Sequence, residues 1–276
     1  MIRYFSTLTL CCIGLLVFAQ GNDLYSVENS KKFATYLFKS GNYNQAAIEY
    51  ERLVLTDSLN SFTYKHKALV CYRKSNNLKT GLNRFNKWFK QKENLTYPLN
   101  KEFSLYLTGS YLYNDAIAYL QDCKDIAPSE LSELLALNHC YLLDWQNAKA
   151  NLDKVETNSI TKEVLTIAVN KGLKMKTKKP GLAATLSIIP GLGRIYTGNY
   201  IDAGLSALTI GTFGWQAYTG FNKNGIKSAY GWLTGGVAAG FYFGNIYGSY
   251  RAAQLQNKQK LDEILFEVDR AFKLLS

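Results

Sequence analysis

The chain has 276 residues, with 32 Lys+Arg against 21 Asp+Glu for a net charge of +11, and it holds 21 Gly, 4 Pro, 5 Cys and 2 His. Five cysteines are too few for a disulfide scaffold, and 47% apolar with 14% aromatic residues is too many for a disordered chain. Fifteen of the glycines fall between Gly181 and Gly248, so the average composition describes neither half of the molecule.

Residues 1–19 have the pattern of a secretory signal. Arg3 is the sole charge, an apolar run follows over 8–18, and Val17-Phe18-Ala19 supplies a cleavage site before Gln20. Cleavage would leave one positive charge fewer and three cysteines, Cys71, Cys123 and Cys140. All three sit on helical patterns and are expected as buried thiols; a Cys123–Cys140 bridge is the alternative.

Self-similarity then runs over 26–157. Ala46, Gly81, Ala116 and Ala148 are spaced 35, 35 and 32 residues apart. Three positions before each stands Tyr43, Leu78, Tyr113 or Trp145, and four positions after each stands Tyr50, Phe85, Leu120 or Leu152. A small residue lets the second helix of a pair cross close to the first, and a bulky one a turn later fills the groove left by the next pair. With Ala34, Leu37 and the Gly41-Asn42 turn, this pattern resembles the tetratricopeptide repeat. The expected fold is all-α, with about four helix pairs stacked as a solenoid.

The resemblance implies a concave groove for a protein or peptide, lined by the first helix of each pair. Lys32, Tyr36, Lys65, Lys67, Tyr72 and Arg73 are the candidate contacts, and their positive bias favours acidic partners. Nucleic acid is not expected as a partner of an exported domain.

After the repeats comes a helix and a lysine-rich junction over 158–180. Lys171, Lys174, Lys176, Lys178 and Lys179 stand there with no acid among them, a candidate collar for anionic headgroups. This collar would sit more comfortably on the cytoplasmic side, whereas the signal places the repeats outside. The signal carries more weight, because long domains translocate largely regardless of charge. The expected location is the bacterial inner membrane, with the repeats facing the periplasm.

Over 180–250 the only charges are Arg194, Asp202, Lys223 and Lys227. The stretch 181–193 is apolar but broken by Pro190-Gly191, and is expected as an interfacial half-helix. Two uncharged runs follow, 203–221 and 228–250, of 19 and 23 residues. They predict a transmembrane hairpin, with Trp215, Tyr218, Phe221, Tyr230 and Trp232 as an aromatic belt at the loop end. Gly236, Gly240, Gly244 and Gly248 recur every four residues, a glycine zipper expected to form a helix seam within the hairpin or between copies. Gly231, Gly235 and Ala239 form a neighbouring stripe.

Pro190, Gly191, Gly193, Arg194, Tyr196 and Gly198 resemble the signature of bacterial TM2-like two-helix membrane domains, with Arg194 in place of that family's glutamine. The resemblance implies membrane integration and no reaction. Arg194 and Asp202 are expected either to pair or to reach separately into headgroups, with the second favoured slightly. The glycine spacing from Gly193 to Gly198 imitates a phosphate loop, but Asn199 stands where the lysine belongs. Finally, 251–276 carries Leu261, Ile264, Leu265, Val268, Phe272 and Leu275 at amphipathic helix spacing and is expected to dock on the repeats.

His66 and His139 are isolated, and no nucleophile elbow, HExxH or CxxC occurs. No catalysis, cofactor or metal is expected. The primary expectation is an envelope adaptor that binds a protein partner. The alternative is an oligomeric accessory subunit of a transport or secretion assembly, and a membrane-embedded enzyme using Arg194 and Asp202 ranks behind both.

Overall fold

The computed structural model describes residues 26–90 and 95–276. The expected signal peptide therefore lies outside the described residues. Among those described there is no strand, and thirteen α-helices account for almost the whole path. They divide into a repeat unit, running up to Lys162 and taking in Phe272–Ser276, and a second unit, Glu163–Ala271.

The repeat unit contains four helix pairs: α1 (Val27–Lys39) with α2 (Tyr43–Thr56), α3 (Ser61–Lys74) with α4 (Leu78–Trp88), α5 (Tyr97–Gly109) with α6 (Tyr113–Asp122), and α7 (Pro128–Tyr141) with α8 (Trp145–Leu152). The second helix of each pair starts on the residue that stands three before the small one, so the sequence period is the structural period.

The same turn closes every pair. Gly41, Asn76, Tyr111 and Leu143 take φ of 78°, 58°, 63° and 60°. The next residue's N–H then reaches back five positions, from Asn42 to Leu37, Asn77 to Tyr72, Leu112 to Leu107 and Asp144 to His139, at 2.8–2.9 Å. This left-handed closure satisfies carbonyls that the helix end leaves open. Gly41 and Asn76 adopt it readily, whereas a larger L-residue there costs about 1–2 kcal/mol. At Tyr111 and Leu143 the stacking of the pairs overrides that local preference.

Ala46, Ala116 and Ala148 are fully buried, as are Phe85 and Leu120 a turn beyond their small partners. Gly81 has no room for a side chain, since a Cβ there would come within 2.5 Å of the Tyr106 ring. Tyr106 is itself locked, donating its hydroxyl hydrogen to the Leu69 carbonyl at 2.5 Å. Aromatic contacts carry the core from pair to pair, with Tyr50 on Tyr64 at 6.4 Å and Phe85 on Phe103 at 4.7 Å, and Phe103 meets Tyr119 within the third pair at 4.8 Å. Cys71, Cys123 and Cys140 are free thiols. Burial pushes the Cys71 and Cys140 thiols up to about 12, which leaves them without thiolate chemistry at neutral pH.

The second unit takes in most of α9 (Ile160–Lys174), then α10 (Pro180–Leu186), α11 (Leu192–Tyr196), α12 (Tyr200–Asn224), a single 3-10 turn (Gly225–Lys227) and all but the end of α13 (Ala229–Leu275). The half-helix expected over 181–193 is two short helices with a break between them. Pro190 cannot continue α10, and Gly191, at φ 90°, caps the start of α11. The hairpin of α12 and α13 forms where the uncharged runs predicted it. The amphipathic segment 251–276 is no separate element, because α13 continues unbroken for 47 residues, about 70 Å at 1.5 Å per residue. No Gly or Pro occurs after Gly248 to stop it.

One expectation requires correction. No described helix is long and apolar enough to cross a membrane. The runs 203–221 and 228–250 are free of charge, but Gly, Thr and Tyr, together with Gln216 and Asn245, keep their hydropathy low. An uncharged sequence is not necessarily an apolar one.

Candidate functional site

In the repeat unit the six candidate groove residues separate into two groups. Arg73 is buried, and its guanidinium grips Glu102 with two hydrogen bonds of 2.7 and 3.0 Å. Its remaining Nη1 donates to the Ser276 carbonyl at 2.9 Å, so part of the 251–276 segment does dock on the repeats. Tyr72 is buried as well. Its hydroxyl donates to Glu51 at 2.9 Å, and Arg84 pairs with that same carboxylate at 2.7 Å. Burial first, and then the bonded Glu51, push the Tyr72 phenol up to about 12.

Lys65 and Lys67 are half-buried, with their ammonium groups 5.9 Å from the Phe89 ring centre and 5.6 Å from that of Tyr50. Of the six, Lys32 and Tyr36 are the two at the exposed surface, where Lys32 pairs with Glu28 at 2.7 Å and Tyr36 is 65% exposed. Arg73 and Tyr72 are therefore corrected from partner contacts to core residues. Packing of one helix pair on another buries a first-helix residue that faces a neighbouring pair, whatever its charge. Phe33, one turn before Tyr36 on α1, is exposed too and belongs to the same patch, and sequence reasoning missed it. Glu102 was missed too; a lone acid in the apolar α5 sequence was the available signal.

In the second unit the proline-glycine motif is a clasp. The breaks after α10 and α11 free backbone carbonyls, and polar side chains along one stretch of α13 receive them. Tyr242 donates to the Ile188 carbonyl at 3.1 Å, Asn245 to Ser187 at 3.1 Å and Gln256 to Thr197 at 2.6 Å. Asn257 both donates to the Lys178 carbonyl and accepts its N–H, each at 2.8 Å. Gly191 and Gly193 allow this close approach. A Cβ on Gly191 would lie 2.7 Å from the Ala203 carbonyl, and one on Gly193 would lie 2.9 Å from the Ser249 side chain. Gly198 takes φ 80° in the turn before α12. Tyr196 accepts the Lys179 N–H at 3.0 Å and lies under the Lys178 ammonium at 4.7 Å. Arg194 and Asp202 do pair, at 2.8 Å, rather than reaching outward separately.

The glycine zipper also needs correction. Nothing lies within 4 Å of a Cβ at Gly236, Gly240 or Gly244, so these three make no seam within the hairpin. The seam is the neighbouring stripe: Gly231 sits against Gly220 and Phe221, and Gly235 against Ala217. Gly248 has a different use, since a Cβ there would meet Arg194 Nη2 at 2.5 Å. Four-residue spacing names a face of a helix; what faces it depends on where α12 crosses.

In the lysine collar, Lys171 lies 3.9 Å from Glu267 and Lys178 is held over Tyr196, while Lys174, Lys176 and Lys179 keep exposed side chains. Among the described residues no group of three or more His, Cys, Asp and Glu could hold a metal. Neither a protein-family model, nor a curated protein, nor a solved structure matches the chain.

Proposed function

We propose that this protein is a non-catalytic adaptor of the bacterial envelope. A tetratricopeptide-like repeat unit binds a protein or peptide partner, and the glycine-rich hairpin holds the assembly at a membrane face without either helix crossing it. The observation that carries this reading is the outward apolar surface of the hairpin. Leu208 is 68% exposed, Trp215 71%, Leu233 69% and Phe243 68%. Large apolar residues left outside on two adjacent helices need a covering medium, and tryptophan and tyrosine among them suit the interfacial region of a bilayer. Lys174, Lys176 and Lys179 supply positive charge for anionic headgroups. The exposed Phe33, Tyr36 and Lys32 on α1 are the available partner contacts.

The test is flotation of the full chain with phosphatidylcholine vesicles. The wild type is expected to float, and the variant carrying Leu208→Ser, Trp215→Ser and Leu233→Ser to remain at the bottom. Equal behaviour of the two would refute the membrane reading. Partner capture that survives Phe33→Ala with Tyr36→Ala would refute the assignment of the α1 patch.

A second reading, an oligomeric accessory subunit, is favoured by the open face at Gly236, Gly240 and Gly244, which admits close approach of a second helix. Cross-linking in membranes, abolished by Gly240→Leu, would support it.

A further inference from the structure

The clasp of the second unit borders a cleft of about 680 Å³, within the size range of small-ligand sites. Its charged lining is Arg194, Arg251, Lys258 and Asp202, three cations against one carboxylate. Gly248, Arg251, Leu255 and Lys258 recur on α13 at three- and four-residue steps, so one face of that helix presents both cations to the cleft. Arg194 enters from α11 and lies over the bare backbone of Gly248.

The Arg194 guanidinium is only partly used. Nη1 donates to Asp202, but Nε is buried with no partner. Gln256 bonds Thr197 through Nε2, while its Oε1 is buried and unpartnered too. Both of these atoms are enclosed, so the groups that face the cleft with Arg194 are the exposed Arg251 and Lys258, two positive charges with no carboxylate paired to them. That set matches a phosphomonoester, which carries nearly two negative charges near neutral pH and several strong acceptor oxygens. Asp202 holds Arg194 in place without neutralising Arg251 or Lys258. A carboxylate ligand would match only half the charge.

We infer that this cleft is a phosphomonoester-binding site formed by Arg194, Arg251 and Lys258, for a lipid headgroup or a soluble phosphate. The inference does not rest on the partner-binding role of the repeats. The test uses the full chain in mild detergent, titrated with inorganic phosphate in a calorimeter. In parallel, flotation is measured on phosphatidylcholine vesicles with and without phosphatidic acid. Arg251→Gln with Lys258→Gln is compared with Lys223→Gln with Lys227→Gln, which removes the same charge from the hairpin turn outside the cleft. Residues 223, 227, 251 and 258 are all exposed, so neither pair threatens the fold.

Saturable phosphate binding, weakened about tenfold by the cleft pair and unchanged by the turn pair, supports the site with a soluble ligand. No phosphate binding, but a gain in flotation from phosphatidic acid that only the cleft pair loses, supports it with a headgroup. Absence of both responses overturns the site. So does an equal loss in the two pairs, or no loss in the cleft pair. Flotation on pure phosphatidylcholine reports on the hairpin and separates its failure from that of the cleft.

Discussion

The repeat unit and the hairpin are both helical and both rich in aromatic residues, yet they treat those residues in opposite ways. In the repeats Tyr50, Tyr64, Phe85 and Tyr106 are almost wholly enclosed. In the hairpin the deeply buried positions are small, Ala203, Ala217, Gly220 and Gly231, and the large rings face outward. The repeats obtain their stability from their own side chains. The hairpin packs backbone against backbone through glycine and leaves its apolar area for something else to cover. Glycine shows the same contrast: Gly81 is required by a buried ring, whereas Gly240 borders open space.

The largest expected effect breaks the repeat unit alone. Glu102→Gln leaves Arg73 buried with half its partner gone and should destabilise the unit by about 3–5 kcal/mol in urea unfolding followed by far-UV circular dichroism. A loss under about 1 kcal/mol would mean that water reaches the pair.

Next in size is the same substitution made in both regions. Gly81→Ala forces a methyl into the Tyr106 ring and should cost about 1–3 kcal/mol, less about 1 kcal/mol regained in helix propensity. Gly240→Ala meets nothing in the chain and should stabilise the hairpin by up to about 1 kcal/mol. A destabilised or dissociated Gly240→Ala would instead show a second copy packed on that face.

A smaller gain is expected at the left-handed turns. Leu143→Gly and Tyr111→Gly should each raise repeat stability by about 1 kcal/mol, read as an increase in melting temperature, because glycine meets no Cβ penalty there. For Tyr111 the gain is reduced by loss of its edge contact with Tyr113 at 6.2 Å.

The smallest effect is on pH dependence. Burial lowers the His66 pKa from its ordinary value of 6.5, with Glu102 opposing. The unfolded chain therefore takes up this proton first. The contribution is complete above about pH 6.5 and declines as the pH falls toward the folded value. His66→Gln should flatten the stability curve of the repeat unit below that pH, and an unchanged slope would place the proton elsewhere.

The order of the helices, and the start of the second helix in each repeat, were legible in the sequence because they follow local rules. The period from Ala46 to Ala148 located every pair, and Pro190-Gly191 located the break between α10 and α11. Which face each residue meets was less legible. Arg73 and Tyr72 carried every sign of surface contacts until Glu102 and Glu51, from other helices, claimed them. The zipper glycines had the right spacing but the wrong azimuth, since α12 crosses α13 along Gly231 and Gly235. Arg251 and Lys258 were ordinary surface cations until the clasp brought Arg194 beside them.

The sequence by itself determined an all-helical chain, four repeating pairs, a hairpin built on two uncharged runs and a basic collar. Each follows from periodicity, turn chemistry or composition over a few consecutive residues. Only the tertiary structure decided that Arg73 is a core residue, that Arg194 pairs with Asp202, and that Arg194 shares one cleft with Arg251 and Lys258. Those outcomes depend on contacts between residues far apart in the chain, and helix periodicity specifies a face without specifying what is packed against it.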